Sequence, residues 1–170
     1  PSRADVVVIG GGSVGTAAAY HLAEQGLKTV LLEAHTLTAG TTWHTAGMLW
    51  RLRPSYVDIE LHDETRRLCH KLERELESIE DEPEGSRRGS IFTANGGLFV
   101  ATSNERLKEY QRLCEIGNFY GIDAHMLSPR QTLDVHPLLN VDDIVGAMHS
   151  PGDGTIDAAN ACDAYKRVST

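Results

Sequence analysis

The chain has 170 residues and a formal net charge of −8 at pH 7, a length that is enough for one domain with a sizeable core. Nucleic-acid binding needs concentrated Lys and Arg, so this acidic balance argues against a nucleic-acid partner. No apolar run approaches the roughly 20 residues that cross a bilayer, so the sequence predicts no membrane span.

The first part of the chain predicts a βαβ unit. Asp5–Gly10 is a short, β-branched apolar run, which predicts a strand buried on both faces. Ser13–Gln25 is rich in Ala and Leu and is followed by Gly26, which predicts a helix that ends at a glycine. Thr29–Glu33 predicts a second strand. A unit of this size is typical of one half of a nucleotide-binding fold.

The remainder of the chain mixes loops, helices and short strands. Thr36–Pro54 is rich in Thr and Gly and predicts a loop, and the charged segment Glu80–Gly89 predicts a solvated connector. An apolar stripe that includes Leu61 and Leu72 predicts a helix over Val57–Ile79. The other predicted helices are Glu105–Tyr120, one that begins at Ser128 and Pro129, and Ala158–Val168, and the other predicted strands are Gly97–Thr102, Asp123–Leu127 and Ile144–Ser150.

A dinucleotide fingerprint, G-x-G-x-x-G, lies between the first predicted strand and helix. Gly10 permits the tight turn out of the strand, Gly12 lets the backbone approach a pyrophosphate, and Gly15 lets the helix pack closely on the strand. Ser13 opens the helix, whose free N–H groups favour phosphate. Glu33 ends the second predicted strand, where it can bind a ribose hydroxyl and would repel a 2′-phosphate. We therefore expect FAD or NAD rather than NADP.

His44 lies in the segment Gly40–Gly47, shortly after the fingerprint. A neutral imidazole nitrogen is a good nucleophile near physiological pH and could attack an electrophilic flavin methyl group. Thr41 and Thr42 offer hydroxyl groups nearby, and Gly47 lets the backbone pass close to a flat ring. The alternative is a histidine that only forms hydrogen bonds within a loop, and these residues alone favour that alternative.

The segment Gly40–Gly47, together with Gly10–Gly15 and Glu33, resembles the N-terminal part of the sarcosine and dimethylglycine dehydrogenase family. Other similar segments are Met48–Ser55, Asn95–Phe99, Leu107–Tyr110, Asn140–Asp143 and Asp153–Asp157. The resemblance implies that His44 carries covalently linked FAD. It also implies an α/β fold, with a Rossmann-like FAD-binding domain on a parallel sheet, interrupted by an α+β substrate domain. The implied boundaries are 1–54 for the first part of the FAD-binding domain, 55–143 for the substrate domain and 144–170 for the return.

The resemblance further implies oxidative demethylation of an N-methyl amino acid, sarcosine to glycine. The one-carbon unit would leave as formaldehyde or be captured by tetrahydrofolate in a downstream domain. Electrons would pass to electron-transferring flavoprotein in the mitochondrial matrix. The pattern Leu-Trp-x-Leu-Arg-Pro-Ser after the histidine is closer to sarcosine than to dimethylglycine dehydrogenase. A dimethylglycine dehydrogenase and a non-catalytic flavin-fold regulatory subunit stay open as alternatives.

Arg51 and Arg53 follow the flavin segment and are candidates to bind the substrate carboxylate, because a planar guanidinium pairs with a carboxylate bidentately. A surface or interdomain ion pair is the favoured alternative for each.

The other histidines show no H-x-x-x-H or Cys/His pairing, so no metal site is predicted. The chain begins without Met and stops inside a predicted helix. We therefore expect a longer enzyme whose catalytic residues lie beyond Thr170.

Overall fold

The computed structural model of the chain describes residues 3–79 and 89–169, so the connector predicted over Glu80–Gly89 lies almost wholly outside the described residues. Two compact units make up the chain. The first unit comprises Pro1–Gly47, Thr65–Thr93 and Ile156–Thr170, and the second comprises Met48–Glu64 and Ala94–Thr155. The domain boundaries implied by the family resemblance stay predictions.

The first unit opens with the predicted βαβ arrangement. Strand β1 (Val6–Ile9) and strand β2 (Thr29–Leu32) pair in parallel, in register from Val6 opposite Thr29 to Ile9 opposite Leu32. Helix α1 (Ser13–Glu24) connects them and packs on both strands. It ends where the Gly26 N–H donates to Ala23 O, as the glycine signal predicts.

Strand β1 differs from its prediction in burial. Val7 and Ile9 are 54% and 86% exposed, whereas Val6 and Val8 are only partly exposed. Successive side chains of a strand point to opposite faces, and α1 packs on this two-stranded sheet. Among the described residues, the face that carries Val7 and Ile9 therefore stays open, and the expectation of burial on both faces was wrong here.

The first unit also contains a short 3-10 helix (Thr41–His44), the C-terminal part of helix α2 and helix α5. Helix α2 (Tyr56–Glu77) passes through both units, and α5 (Ala158–Val168) packs on α1 and on the 3-10 helix. The Asp157 carboxylate caps α5 by accepting from the N–H groups of Ala159 and Asn160. Buried side chains of this unit include Tyr20, Cys69, Leu72, Ile91, Phe92, Cys162 and Ala164.

Glu73 of α2 binds the segment Ser90–Phe92 through its carboxylate. Its Oε1 accepts hydrogen bonds from the Ser90 hydroxyl at 2.9 Å, the Ile91 N–H at 2.8 Å and the Phe92 N–H at 3.2 Å. Burial alone would raise the pKa of this carboxyl, but the hydrogen bonds from Phe92, Ser90 and Ile91 outweigh burial and lower the pKa. The ionised carboxylate therefore holds strand β4 (Phe92–Thr93) against α2.

The second unit is built on an antiparallel sheet. Its strands β5 (Gly97–Ala101), β6 (His125–Leu127) and β7 (Gly146–Ser150) have the order β5–β7–β6. Helix α3 (Asn104–Tyr120) packs on all three strands, and α4 (Pro129–Val135) packs on β6 and β7. Strands β3 (Met48–Leu49) and β8 (Gly154–Ile156) also pair, through Met48 opposite Thr155 and Leu49 opposite Gly154. The core contains Leu52, Ile59, Leu113, Cys114, Ile122, Ala124 and Met148.

The helix starts of the second unit follow from local chemistry. Ser103 caps α3 by accepting from the Arg106 N–H. Ser128 and Gln131 form a reciprocal capping box at α4, with Pro129 in its first turn, which confirms the helix predicted there. In α2 the predicted apolar stripe was wrong at Leu61, which is 60% exposed. Within the described part of the chain, no helix has the length and apolarity to cross a membrane.

Candidate cofactor site

The turn between β1 and α1 has little room for a side chain at Gly11, Gly12 and Gly15. Gly10 has φ +109°, in the region that favours glycine. A Cβ on Gly15 would lie 1.9 Å from the carbonyl oxygen of Gly10, so α1 approaches the turn too closely for any larger residue. A Cβ on Gly12 would lie 3.0 Å from Oγ1 of Thr42. The fingerprint therefore forms an open backbone cradle of the kind that a pyrophosphate needs.

The N-terminus of α1 suits an anionic ligand. Its first turn has no acidic residue, and its N-cap residue, Gly12, supplies no side-chain hydrogen bond. The positive end of the helix is therefore not neutralised by a carboxylate of its own first turn. The Ser13 N–H donates to Oγ1 of Thr42 at 3.1 Å, across 29 positions of sequence. This contact joins two separately predicted cofactor-binding segments.

Glu33 is held beside the cradle as a hydrogen-bond acceptor. The His35 N–H donates to Oε1 at 2.9 Å and the Gly11 N–H donates to Oε2 at 2.6 Å. These bonds, from His35 and then Gly11, lower the pKa of the Glu33 carboxyl. The loop after β2 closes on the same turn through the Thr38 N–H, which donates to Gly11 O. Glu33 is thus an ionised acceptor beside the phosphate cradle, which fits the predicted ribose contact.

His44 is the last residue of the 3-10 helix, and its side chain is exposed. Nδ1 lies 3.2 Å from the carbonyl oxygen of Gly40. A carbonyl only accepts, so this contact assigns the proton of the neutral ring to Nδ1 and leaves the Nε2 lone pair available. The ring also stacks against Trp43, with centroids 3.9 Å apart and planes inclined by 35°. Thr41, at the start of this helix, is exposed.

Gly47 has a structural reason to be glycine. Its φ is +67°, and a Cβ there would lie 2.1 Å from the carbonyl oxygen of Ile156. The Ile156 N–H donates to Gly47 O at 2.7 Å, so two stretches of backbone run in close contact. This packing accounts for the glycine, and the predicted approach of Gly47 to a flavin ring stays a prediction.

The predicted cofactor residues all belong to the first unit. The structure joins Gly12 and Ser13 to Thr42, and Gly11 to Glu33. Sequence motifs indicated each of these groups. They did not indicate Leu37, because its contact with Gly11 is a tertiary one. A Cβ added to Gly11 would lie 2.5 Å from the side chain of Leu37, which thus borders the cradle. The described residues contain no group of three or more His, Cys, Asp or Glu suited to hold a metal.

Arg51 belongs to the second unit and is committed to a buried ion pair. It is 6% exposed, with Nε 3.5 Å from Oδ1 of Asp153 and Nη1 3.6 Å from Oδ1 of Asp63. The Arg51 N–H also donates to Oδ1 of Asp153, which is fully buried. Two carboxylates already neutralise this guanidinium. Arg51 therefore forms an ion pair, which was the alternative to a substrate contact. Sequence spacing gave no sign of Asp153, because the pair joins residues 102 positions apart.

Arg53 has different surroundings. Its Cζ lies 4.8 Å from the centroid of the Trp50 ring, within range of a cation–π interaction. Its Nε is buried and has no hydrogen-bond partner in the part of the chain that the structure describes. Among the same described residues, Nε of Arg51 also lacks a hydrogen bond, so the two candidate arginines differ in the carboxylates of Asp63 and Asp153 that lie beside Arg51.

Comparisons with known proteins agree with this arrangement. A family model described as FAD dependent oxidoreductase matches residues 5–169. The chain is 50% identical to human mitochondrial sarcosine dehydrogenase, over 100% of this chain and 18% of the relative. It is 37% identical to the mouse mitochondrial pyruvate dehydrogenase phosphatase regulatory subunit (94% and 17%) and 35% identical to rat mitochondrial dimethylglycine dehydrogenase (91% and 17%). The chain thus spans less than a fifth of these relatives.

The fold also matches solved structures. The L-proline dehydrogenase of P. horikoshii superposes with a TM-score of 0.82 over 98% of this chain and 41% of that one, at 24% identity, which bears on the fold alone. The predicted resemblance to sarcosine and dimethylglycine dehydrogenases is confirmed, as is the α/β fold class. Of the two dinucleotides that the fingerprint allowed, the family resolves the choice to FAD. The chain belongs to the FAD dependent oxidoreductase family.

Proposed function

We propose that this chain is the FAD-binding part of a sarcosine-type dehydrogenase and that His44 carries the FAD covalently. One observation carries the placement of His44. Thr42 accepts a hydrogen bond from Ser13 N–H, which ties the 3-10 helix ending at His44 to the N-terminus of α1. The 50% identity to human sarcosine dehydrogenase supports the substrate class.

The residues of the cradle have distinct roles in this proposal. The α1 N-terminus and the glycines of the fingerprint bind the pyrophosphate, and Glu33 accepts a hydrogen bond from a ribose hydroxyl. Thr41 and Thr42 border the flavin beside His44. Bound FAD supplies a two-electron acceptor for the hydride equivalent that leaves the substrate N-methyl carbon. The protein's part is to hold that ring in place and to position the substrate.

The attachment to His44 forms one bond between an imidazole nitrogen and a flavin methyl carbon. One methyl C–H bond and the exchangeable imidazole N–H would be given up, which corresponds to two protons and two electrons. Bound FAD would supply the acceptor for these electrons, and dioxygen would be the final oxidant. The imidazole must offer a lone pair, and the Nδ1 contact to Gly40 O leaves one on Nε2.

The substrate carboxylate needs a guanidinium that is free to bind it. Arg53 meets that requirement better than Arg51, because two aspartates already hold Arg51.

The further steps extend the proposal beyond this chain. Water or tetrahydrofolate, bound in a further domain, takes the one-carbon unit, and electron-transferring flavoprotein takes the electrons in the mitochondrial matrix. The mitochondrial part of this assignment follows the descriptions of the relatives.

A regulatory subunit is the second candidate, because the mouse phosphatase regulatory subunit is 37% identical to this chain. This second hypothesis predicts a flavin fold that does not catalyse amine oxidation. Dimethylglycine dehydrogenase activity is the third, supported by the 35% identity to the rat enzyme. Anaerobic mixing of the complete protein with sarcosine or dimethylglycine separates the three. Faster bleaching of the flavin absorbance by sarcosine supports our proposal, and no bleaching by either amine favours the regulatory subunit.

Acid precipitation of the complete protein tests the covalent bond. We expect flavin fluorescence in the pellet, and a mass increase on the peptide that contains His44. His44→Ala should retain the fold and bind FAD only reversibly, whereas His35→Ala, which changes another exposed histidine of the same unit, should keep the bond. Free flavin in the wild-type supernatant with an unmodified His44 peptide would overturn the attachment.

A further inference from the structure

We propose that Trp43 is a positioning residue for flavin attachment, and this inference rests on the proposed role of His44. The Trp43 and His44 rings stack with centroids 3.9 Å apart. The imidazole edge is held by the contact between Nδ1 and Gly40 O at 3.2 Å. An aromatic face and a carbonyl oxygen thus restrain one ring in two different ways.

These two restraints select one reactive form of the imidazole. A free neutral histidine exchanges between two tautomers and rotates about its Cβ–Cγ bond. The Gly40 carbonyl accepts only from a protonated Nδ1, and it does so only while the ring keeps its present orientation. Stacking against the indole limits that rotation. Nε2 therefore keeps its lone pair in a fixed direction, as a nucleophile that attacks one methyl group requires.

The exposure of Trp43 to solvent argues against a purely structural role. Its side chain is 62% exposed, so it removes little apolar surface from water when the first unit folds. Trp is enriched at binding interfaces relative to the rest of the protein surface. In the sequence, Trp43 stands between Thr42, which is bound to Ser13 N–H, and His44. The 3-10 helix thus carries an anchor, a stacking platform and a nucleophile on three successive residues.

The test measures the rate of covalent FAD incorporation, not turnover. Apoprotein of the complete chain is mixed with FAD in air, and flavin fluorescence bound to denatured protein is followed with time. We expect Trp43→Leu to incorporate FAD about three- to tenfold more slowly than wild type, the effect of one freed side chain. Trp43→Phe keeps an aromatic face and should recover most of the rate. Phe119→Leu, which removes an 84% exposed aromatic residue from the second unit, should match wild type.

A second measurement does not involve FAD. Nitrogen-15 NMR of the apoprotein should find His44 mainly protonated at Nδ1, and a mixture of tautomers in Trp43→Leu. A wild-type rate in Trp43→Leu, with unchanged tautomers, overturns the role of Trp43 and leaves the attachment to His44 intact. Wild type without any covalent FAD overturns the proposed attachment and this inference together. Thermal unfolding of each variant shows whether slow FAD incorporation reflects a lost fold. If Trp43→Leu does not fold, the incorporation rate of Trp43→Phe tests the role of the aromatic ring.

Discussion

The Thr42 hydroxyl oxygen accepts a hydrogen bond from the Ser13 N–H at 3.1 Å, which joins the two sequence segments predicted to bind the cofactor. Thr42→Val keeps the shape of the side chain and removes the acceptor. We expect a loss of about 0.5–1 kcal/mol in unfolding free energy. In a His44→Ala background, FAD should also dissociate more readily. Thr42→Ser retains the hydroxyl and serves as the control, and equal FAD affinity in both variants contradicts the coupling.

Gly15 is predicted to tolerate no side chain. Gly15→Ala would place Cβ 1.9 Å from Gly10 O, so α1 must move away from the turn. We expect a variant that retains little FAD and unfolds at a lower temperature. Val14→Ala changes an 83% exposed neighbour in the same turn and should behave like wild type. The measurements are flavin content after gel filtration and the melting temperature. Normal flavin retention by Gly15→Ala would contradict the observed turn geometry.

Glu73 predicts a pH dependence of stability. Hydrogen bonds lower the pKa of its carboxyl in the folded state, so its stabilising effect is present above the usual glutamate pKa, about 4.3, and disappears as pH falls through the lowered value. Glu73→Gln should lose about 1–2 kcal/mol at pH 7. The difference from wild type should shrink below about pH 4. Urea unfolding across this range checks it.

Glu77→Gln is the matched control for this effect, since Glu77 is an exposed residue on the same helix. We expect its difference from wild type to stay small at every pH. If Glu73→Gln and Glu77→Gln follow the same curve, the three hydrogen bonds from Ser90, Ile91 and Phe92 do not stabilise the folded state.

The two candidate substrate arginines should respond differently to substitution. Arg51→Met removes the guanidinium that lies beside the fully buried carboxylate of Asp153 and should lower the unfolding free energy by about 3–5 kcal/mol. Arg53→Met should leave the fold largely intact and raise the KM for sarcosine. Urea unfolding and steady-state kinetics of the complete protein measure both. A normal KM in a well-folded Arg53→Met removes Arg53 from the substrate site.

Local sequence signals predicted the elements whose causes are local. The run Val6–Ile9, the glycine after α1 and the cap at Ser128 each act within a few residues. Strands β3, β4 and β8, which have two or three residues each, were not predicted. Pairs such as Met48 opposite Thr155 exist only once distant segments meet.

The candidate site divides in the same way. The glycine fingerprint and Glu33 are sequence motifs, and the structure gives them a shared geometry. The bond from Ser13 to Thr42 and the burial of Arg51 against Asp153 depend on tertiary contacts, which residue spacing does not reveal. The interpretation of Arg51 as a substrate ligand used its position after the flavin segment, and position alone does not distinguish a ligand from a buried ion pair.

The close contact of Gly47 with Ile156 has a kinetic consequence. The chain leaves the first unit after Gly47, contributes Thr65–Thr93 to it, and returns to it finally at Ile156, and a backbone hydrogen bond joins Gly47 to Ile156. Contacts between residues so far apart in sequence require closure of a long loop, which slows folding. The backbone hydrogen bonds within helices α1 and α3, by contrast, join residues only four positions apart. The hydrogen bond between Ile156 N–H and Gly47 O can therefore form only after the whole second unit has been synthesised. Newly made protein is open to chaperones during that interval.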